Sequence, residues 1–345
     1  MAYTTISKSS DYFNTKLYTG NGSTNAITGV GFQPDWIWIK SRSDTSNHRI
    51  YDYIRGGTKT LYSNLTNDEG TNSDAITSFN SDGFTLGGNA QSNGNGLSLA
   101  SWNWKAGGTG SANTAGSINS TVSVNTTAGF SIVSYTGTGA NATVGHGLGV
   151  APKMMIIKNR SASANWLVYH DSIPATDTLI LNTAAASASD AAYNNTDPTS
   201  SVFSIGNTGS GNGSGNSLIA YCFAEKQGFS KFGSYIGNGN ADGPFVYTGF
   251  KPAWVMIKNV DSSSEEWNIW DNKRDIDNPL TTRLVANISA ADSVTSAGFF
   301  DFTSNGFKIR STANGVNQGS GHKMVYMVFA EAPLVGSNNV PCTAR

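Results

Sequence analysis

The stretch Gly249-Phe250-Lys251-Pro252-Ala253-Trp254-Val255-Met256-Ile257-Lys258 decides the fold, because the chain contains it three times. Earlier copies read Gly31-Phe32-Gln33-Pro34-Asp35-Trp36-Ile37-Trp38-Ile39-Lys40 and Leu148-Gly149-Val150-Ala151-Pro152-Lys153-Met154-Met155-Ile156-Ile157-Lys158. Each places a glycine and a proline before a short apolar run that ends on Ile-Lys. Proline is tolerated at the mouth of a strand, where its missing N–H is not needed by the ladder. The Trp, Ile, Val and Met that follow suit a buried strand, and the run is too short for a typical helix. Tyr18-Thr19-Gly20-Asn21-Gly22, Tyr135-Thr136-Gly137-Thr138-Gly139 and Tyr235-Ile236-Gly237-Asn238-Gly239 open the three units in the same register. The repeat of about 100 to 120 residues is too long for a solenoid or propeller blade and is the size of a small domain.

Downstream the units keep step. Tyr51-Asp52, His170-Asp171 and Trp270-Asp271 follow the three core strands. Ser81-Asp82-Gly83-Phe84 and Ser304-Asn305-Gly306-Phe307 carry the Asp-Gly and Asn-Gly signals of tight hairpins. Val202-Phe203-Ser204-Ile205 of the middle unit lacks that dipeptide, so a different turn is expected there. A glycine-rich loop and an apolar closing strand end each unit: Leu97–Trp104, Leu218–Glu225 and Met324–Glu331. Many short strands, frequent Gly and Asn turns and no amphipathic helix predict an all-β chain of three tandem antiparallel β-sandwich, jelly-roll-like repeats. The expected divisions are a leader or attachment segment at 1–17, repeats at 18–106, 118–228 and 229–333, a flexible Gly/Ser linker at 107–117, and a tail at 334–345. The short connection Lys226–Ser230 predicts a fixed orientation between the second and third repeats.

Composition limits the partners. Charged residues are only 13% and the formal net charge is −1, so there is no electrostatic footprint for nucleic acid or an anionic membrane. No apolar run approaches the roughly 18 residues of a membrane helix, and Met1–Thr5 shows no secretory signal. Asn, Ser, Thr and 39 glycines supply a neutral, turn-rich surface. Cys222 sits in a strand-like run and Cys342 near the end, a placement that makes neither a disulfide framework nor a zinc motif.

The recurring Asp52, Asp171 and Asp271 read as turn or cap acceptors. Lys40, Lys158 and Lys258 read as snorkelling or edge-protecting lysines where each core strand meets solvent. Asp271–Asn278 is the densest oxygen cluster, but it lacks the spacing and glycine of an EF-hand loop and holds two cations. His48, His146, His170 and His322 share no spacing, and Glu265-Glu266 reads as a solvent-facing pair at a strand start. No nucleophile elbow, P-loop or dinucleotide-binding glycine pattern is present. The expectation is therefore no catalytic residue, no metal ligand and no cofactor. Trp36, Trp102 and Trp254 lie in core strands and are expected to be buried. Trp166, Trp267 and Trp270 border loops; they are either core residues or a sugar-stacking or protein-docking face.

The Tyr-Thr-Gly-Asn-Gly opening, the Gly-Phe-x-Pro-x-Trp-x-x-Ile-Lys strand, the Ser-Asp-Gly-Phe-Thr-Leu-Gly hairpin, Trp102–Ala106 and Val328–Pro333 together resemble a repeat family of marine bacteriophage virion structural and tail-fibre-like proteins. The resemblance runs from about Tyr18 to Pro333. It implies a non-catalytic virion structural protein, assembled in the host cytoplasm and displayed on the particle surface. Its partners would be other tail or capsid proteins and a host surface glycan or protein, without nucleic acid or membrane insertion, with a homo-oligomer compatible. Weakly charged Asn/Ser/Gly/aromatic loops favour a tail- or fibre-associated adhesin. A capsid or tail decoration protein is the first alternative, and an envelope-polysaccharide hydrolase, which needs a carboxylate pair, is the second.

Overall fold

The computed structural model describes residues 3–333. The chain is all-β, built from antiparallel sheets with only single turns of helix. Each unit has one large sheet in which four strands recur in the order opening, closing, core, partner. In the first unit these are Phe13–Thr19, Ser98–Trp104, Trp36–Ser41 and Arg49–Asp52. In the second they are Phe130–Thr136, Ser217–Phe223, Met154–Asn159 and Leu167–His170, and in the third Ser230–Ile236, Lys323–Pro333, Phe250–Asn259 and Asn268–Asp271. A small sheet faces each large one. It contains Asn25–Thr28, Gly83–Leu86 and Ile76–Asn80 in the first unit, Ala142–Gly145 and Val202–Ile205 in the second, and Phe245–Tyr247, Gly306–Ile309 and Phe300–Thr303 in the third. The Asp-Gly and Asn-Gly sites do form two-residue hairpins, Asn80 pairing with Gly83 and Thr303 with Gly306. The middle unit, without the dipeptide, has no such hairpin among its described strands.

The core strands explain the arrangement. Successive side chains of a strand point to opposite faces. Ile37 and Ile39 pack with Ile27, Phe84 and Leu86 inside the first unit, and Met155 with Ile157, and Val255 with Ile257, do the same in theirs. The alternate residues Trp36, Trp38, Met154, Ile156, Trp254 and Met256 all enter one common core. There Trp36 lies 4.4 Å from Trp104 and 4.7 Å from Tyr221, Trp104 lies 5.7 Å from Trp254, and Phe223 lies 6.2 Å from Phe329, measured between ring centroids. The three units thus close a ring around an axial core that belongs to none of them alone.

Two expected boundaries move. The segment expected as a leader or attachment is, from residue 3 on, part of the fold: Phe13–Leu17 belong to the first opening strand, Ile6 enters the axial core, and Tyr3 Oη donates to Gly249 O of the third unit. The linker expected at 107–117 is not flexible. Asp35 accepts from the Ala106 and Gly108 amides, and Ser111–Asn113 pairs with Ser120–Asn125, two strands added outside the second opening strand. Backbone hydrogen bonds override the Gly/Ser composition. The repeats are also not free-standing sandwiches, since one face of each large sheet is covered only by the other two units. The tail at 334–345, with Cys342, lies outside the described residues.

The Tyr-x-Gly-x-Gly openings are latches. Tyr18, Tyr135 and Tyr235 donate their hydroxyls to Ser92 O, Gly211 O and Val316 O in the one-turn helices before the closing strands. The next residues, Asn93, Asn212 and Asn317, are fully buried; they accept from the Asn21, Thr138 and Asn238 amides and donate back to carbonyls on both sides. A Cβ on Gly20, Gly137 or Gly237 would sit 2.2, 2.3 or 2.1 Å from a carbonyl oxygen of this turn, so only glycine fits.

Truncating Trp36 to alanine should cost about 3–5 kcal/mol, the range for a buried tryptophan. Because its ring touches the second unit and its core includes the third, all three should unfold in one transition. Hydrogen exchange by mass spectrometry checks this: closing-strand peptides of all three units must lose protection together, and separate losses would contradict a shared core.

Candidate functional site

The seams between units gather the recurring polar residues, and they repeat around the ring. Glu69 N donates to Arg160 O between units one and two, Ser187 N to Val260 O between two and three, and Asp292 N to Arg42 O between three and one. A side-chain bond accompanies each. Trp166 Nε1 donates to Tyr62 O at 2.8 Å and Trp267 Nε1 to Ile180 O at 2.9 Å. At the third seam His48 occupies the tryptophan position and its Nε2 lies 2.8 Å from Val285 O. His48 Nδ1 accepts from Trp38 Nε1, so the proton sits on Nε2 and donates across the seam. The main-chain amides of His48, Trp166 and Trp267 are each held by the side-chain oxygen of an asparagine, Asn64, Asn182 or Asn287.

The last residue of each partner strand supplies a second bond. Asp52 Oδ2 accepts from Tyr221 Oη at 2.7 Å, and Asp271 Oδ2 accepts from Trp102 Nε1 at 3.0 Å. In the middle unit that position is His170, paired with Met154 as Asp52 is with Trp36 and Asp271 with Trp254. Its Nε2 lies 3.1 Å from Tyr326 O, while its Nδ1 accepts from Ser172 N. Asp171, grouped with the other two aspartates by sequence, is instead exposed and bridged to Lys153 at 2.7 Å.

Two seams carry a chain of ion pairs and one does not. Asp52–Arg55–Glu69–Arg160 forms a chain of contacts at 2.5, 3.2 and 2.8 Å, and Asp271–Arg274–Asp292–Arg42 repeats it at 2.6, 3.1 and 2.7 Å. Burial alone would raise the Asp271 carboxyl, but the Arg274 guanidinium and the Trp102 N–H hold it below its usual value. At the seam between units two and three the corresponding residues are His170, Ile173, Ser187 and Val260, which carry no such chain.

Lys40, Lys158 and Lys258 do not meet solvent as expected; all three are fully buried. Lys158 Nζ donates to Ala164 O and to Thr66 O of the first unit, and Lys258 Nζ to Glu265 O and to Ala184 O of the second. Lys40 bonds Ser41 O and Asp44 O. Burial lowers each ammonium to about 8.

The tryptophans offered as a recognition face present none. Trp166 and Trp267 are the seam donors and Trp270 packs on Phe299 and Phe300; all are buried, as are Trp36, Trp102 and Trp254. An indole bordering a loop reads as exposed in sequence, but here the loop is covered by the next unit. In the Asp271–Asn278 cluster, Asp271 is committed to Arg274 and Asp275 to the amides and hydroxyls of Thr281 and Thr282. No group of three or more His, Cys, Asp or Glu is placed to hold a metal among the described residues. Glu265 and Glu266 are half-buried rather than solvent-facing: the Glu265 carbonyl accepts from Lys258, and the Glu266 carboxylate meets the Asn287 amide. Cys222 is buried, which pushes its thiol well up. A cleft of about 350 Å³ beside Asn272 and Lys273 carries mixed charge, with Lys251 already bridged to Glu331. No described helix is long and apolar enough to cross a membrane.

Sequence reasoning passed over Arg55, Arg274, Glu69, Asp292, Arg42, Arg160 and the latch asparagines. Counting from the core-strand prolines aligns His48 with Trp166 and Asp52 with His170, but the third unit has one residue more before Trp267 and Asp271, so the count sets Asp171 beside Asp271. The family defined as a domain of unknown function, DUF7483, matches residues 8–333, and the chain belongs to that family. Its single domain spans all three units and the core they share. No curated protein and no solved structure matches the chain.

Two predictions follow from the seams. Arg55→Met leaves Asp52 and Glu69 without their shared cation and should destabilise by about 3–5 kcal/mol, as when one partner of a buried pair is removed. Asp171→Asn, at an exposed pair, should change stability by less than about 1 kcal/mol; urea titration of both variants checks the contrast.

The second concerns acid. Burial lowers His48 to about 3 and His170 to about 4 from 6.5, and lowers His146 as well. Between these values and 6.5 the unfolded chain binds protons that the folded chain does not, so stability falls as the pH drops from 6.5 toward 4. Each titrating imidazole contributes about 1.4 kcal/mol per pH unit inside its window. Denaturant titrations at several pH values should show a shallower slope for His170→Gln than for the parent.

Proposed function

We propose that this chain is a non-catalytic structural protein of a bacteriophage virion, displayed on the particle surface, tail- or fibre-associated and engaged in host-surface recognition. The observation that carries the reading is the commitment of recurring polar residues to the seams. The aspartates at 52 and 271, Lys158, Lys258, His48, His170 and the seam tryptophans all hold unit to unit. What faces outward is mainly uncharged Asn, Ser, Thr and Gly in short loops. A stiff, neutral body with adaptable polar loops suits recognition at a surface. The sequence resemblance to virion repeat proteins supplies the setting.

Competition for adsorption tests the proposal. Purified chain should reduce phage adsorption to host cells in a saturable way, and antibody to it should label tails in electron micrographs. Copurification with DNA-filled heads and no competition would instead mark a decoration protein. Release of reducing ends from host envelope would mark a hydrolase and overturn the non-catalytic reading.

A further inference from the structure

The middle unit contains a covering strand whose counterpart the third unit lacks among the described residues. Ser120–Asn125 pairs antiparallel with the opening strand Phe130–Thr136, Ser120 opposite Tyr135 and Asn125 opposite Phe130. The residues before it continue onto the small sheet. Ile118 bridges Val144, Ser117 N bonds Thr143 Oγ1, and Ser120 Oγ donates to Gly145 O. With Ile118 and Val122 nearly buried in the local core, residues 117–125 seal the gap between the two sheets of that unit.

The third unit has the same gap. Tyr235 matches Tyr135 in both its pairing and its latch bond, so Ser230–Ile236 is the equivalent edge. Val246, opposite Phe307, matches Val144, opposite Phe203, so Phe245 and Tyr247 stand where Thr143 and Gly145 stand in the middle unit. Ser230–Ile236 ends its sheet, and Ile236, Phe245 and Tyr247 are 51%, 48% and 52% exposed. Gly237 N bonds inward to His322 O, and antiparallel alternation then turns the Ser234 and Ile236 amides outward. The equivalent edge of the first unit is guarded. Lys16 lies against Gly29 there, and Ala26 and Thr28 replace the aromatic pair. An edge lysine is a common block to strand addition; the third edge has one as well, Lys231, but it stands near the start of the strand with its Nζ 5.8 Å from the centre of the Tyr247 ring.

We propose that the open edge of the third unit, Ser230–Ile236 flanked by Phe245 and Tyr247, receives an extended segment of a separate polypeptide that pairs antiparallel to it. Among the described residues the connection from the second unit does not supply one. Lys226–Phe229, the whole connection from the second unit, is a tight turn with its own hydrogen bonds. The incoming segment has the chemistry of Ile118–Asn125: β-branched residues alternating with Ser, Thr or Asn, and no charge. Main-chain bonds supply the affinity, and the aromatic pair with Ile236 supplies the apolar contact. This inference does not rest on the virion reading.

A labelled synthetic peptide of residues Ser117–Asn125 is the probe, titrated into the full chain by fluorescence anisotropy with hydrogen exchange in parallel. Saturable binding is expected, with slowed exchange at Ser234 and Ile236. Ser234→Pro removes an outward N–H that the sheet does not use, so it should keep the fold and weaken binding at least tenfold. Phe245→Ser with Tyr247→Ser should weaken it several-fold while leaving the edge amides intact. No saturation at about millimolar peptide, or equal binding by both variants, overturns the proposal. So does protection of Ser234 and Ile236 in the chain alone: at all concentrations it means the chain covers its own edge, and growing with concentration it means a second copy does.

Discussion

A strand with two dry faces has to be covered twice, and the rest of this structure depends on that requirement. Trp36-Ile37-Trp38-Ile39 and its two counterparts have no polar face to offer water. One set of alternating side chains meets the small sheet of its own unit; the other has nothing within the unit large enough to bury it. Two further copies of the same sheet solve the problem, each giving its second face to the others. Burying apolar surface is the dominant favourable term in folding. A unit cut from the ring would expose a full sheet face of Trp, Phe and Met, far beyond what a soluble monomer presents.

Geometry is shared between the seams while chemistry is not. The same amide–carbonyl staple and the same ring N–H donor recur three times, but two seams add Asp–Arg–acid–Arg chains and the remaining one has no ion pair of this kind. Buried ion pairs are weak evidence for stability, because desolvation offsets most of the attraction. They are strong discriminators, since an unmatched partner is left charged in a dry seam. An alternative order of units around the ring would set Glu69 against Val260 and Arg42 against Ser187, leaving both charges without the partners they have here. The charges therefore select an arrangement that the core makes stable.

Much of the fold was legible because it is written in periodicity. The triple core strand, its register and the two hairpins could all be read from residue order. The ring could not, although the unbroken apolar run was its signature: in an antiparallel sheet a strand with one wet face would alternate. Gly83 and Gly306 were read as turn glycines, yet their main role is close approach, since a Cβ would fall 2.0 and 2.1 Å from the Ile27 and Val246 carbonyls. The buried lysines were misread because the sequence places them at a strand end, and the neighbouring unit supplies one of the two carbonyls that hold each of Lys158 and Lys258. The loop-border tryptophans were ambiguous for the same reason. Local sequence records which groups a residue carries and not which other unit will lie against it.

Linking three units in one chain permits something that three identical subunits cannot have. A homotrimer must repeat every seam and every edge, because one sequence serves all positions. Here the linker also replaces association by an intramolecular event, so seams need not be individually strong. Freed from identity, the units have diverged at their outer edges: the first carries Lys16, the second is sealed by residues 117–125, and the third stays open beside two exposed aromatic rings. The latches keep the same Tyr, Gly and Asn in all three units, while the axial core keeps only its apolar character, with Trp36, Met154 and Trp254 at one equivalent position. The edge differences lie where the ring constrains nothing, and they give an almost threefold body a single distinguishable side.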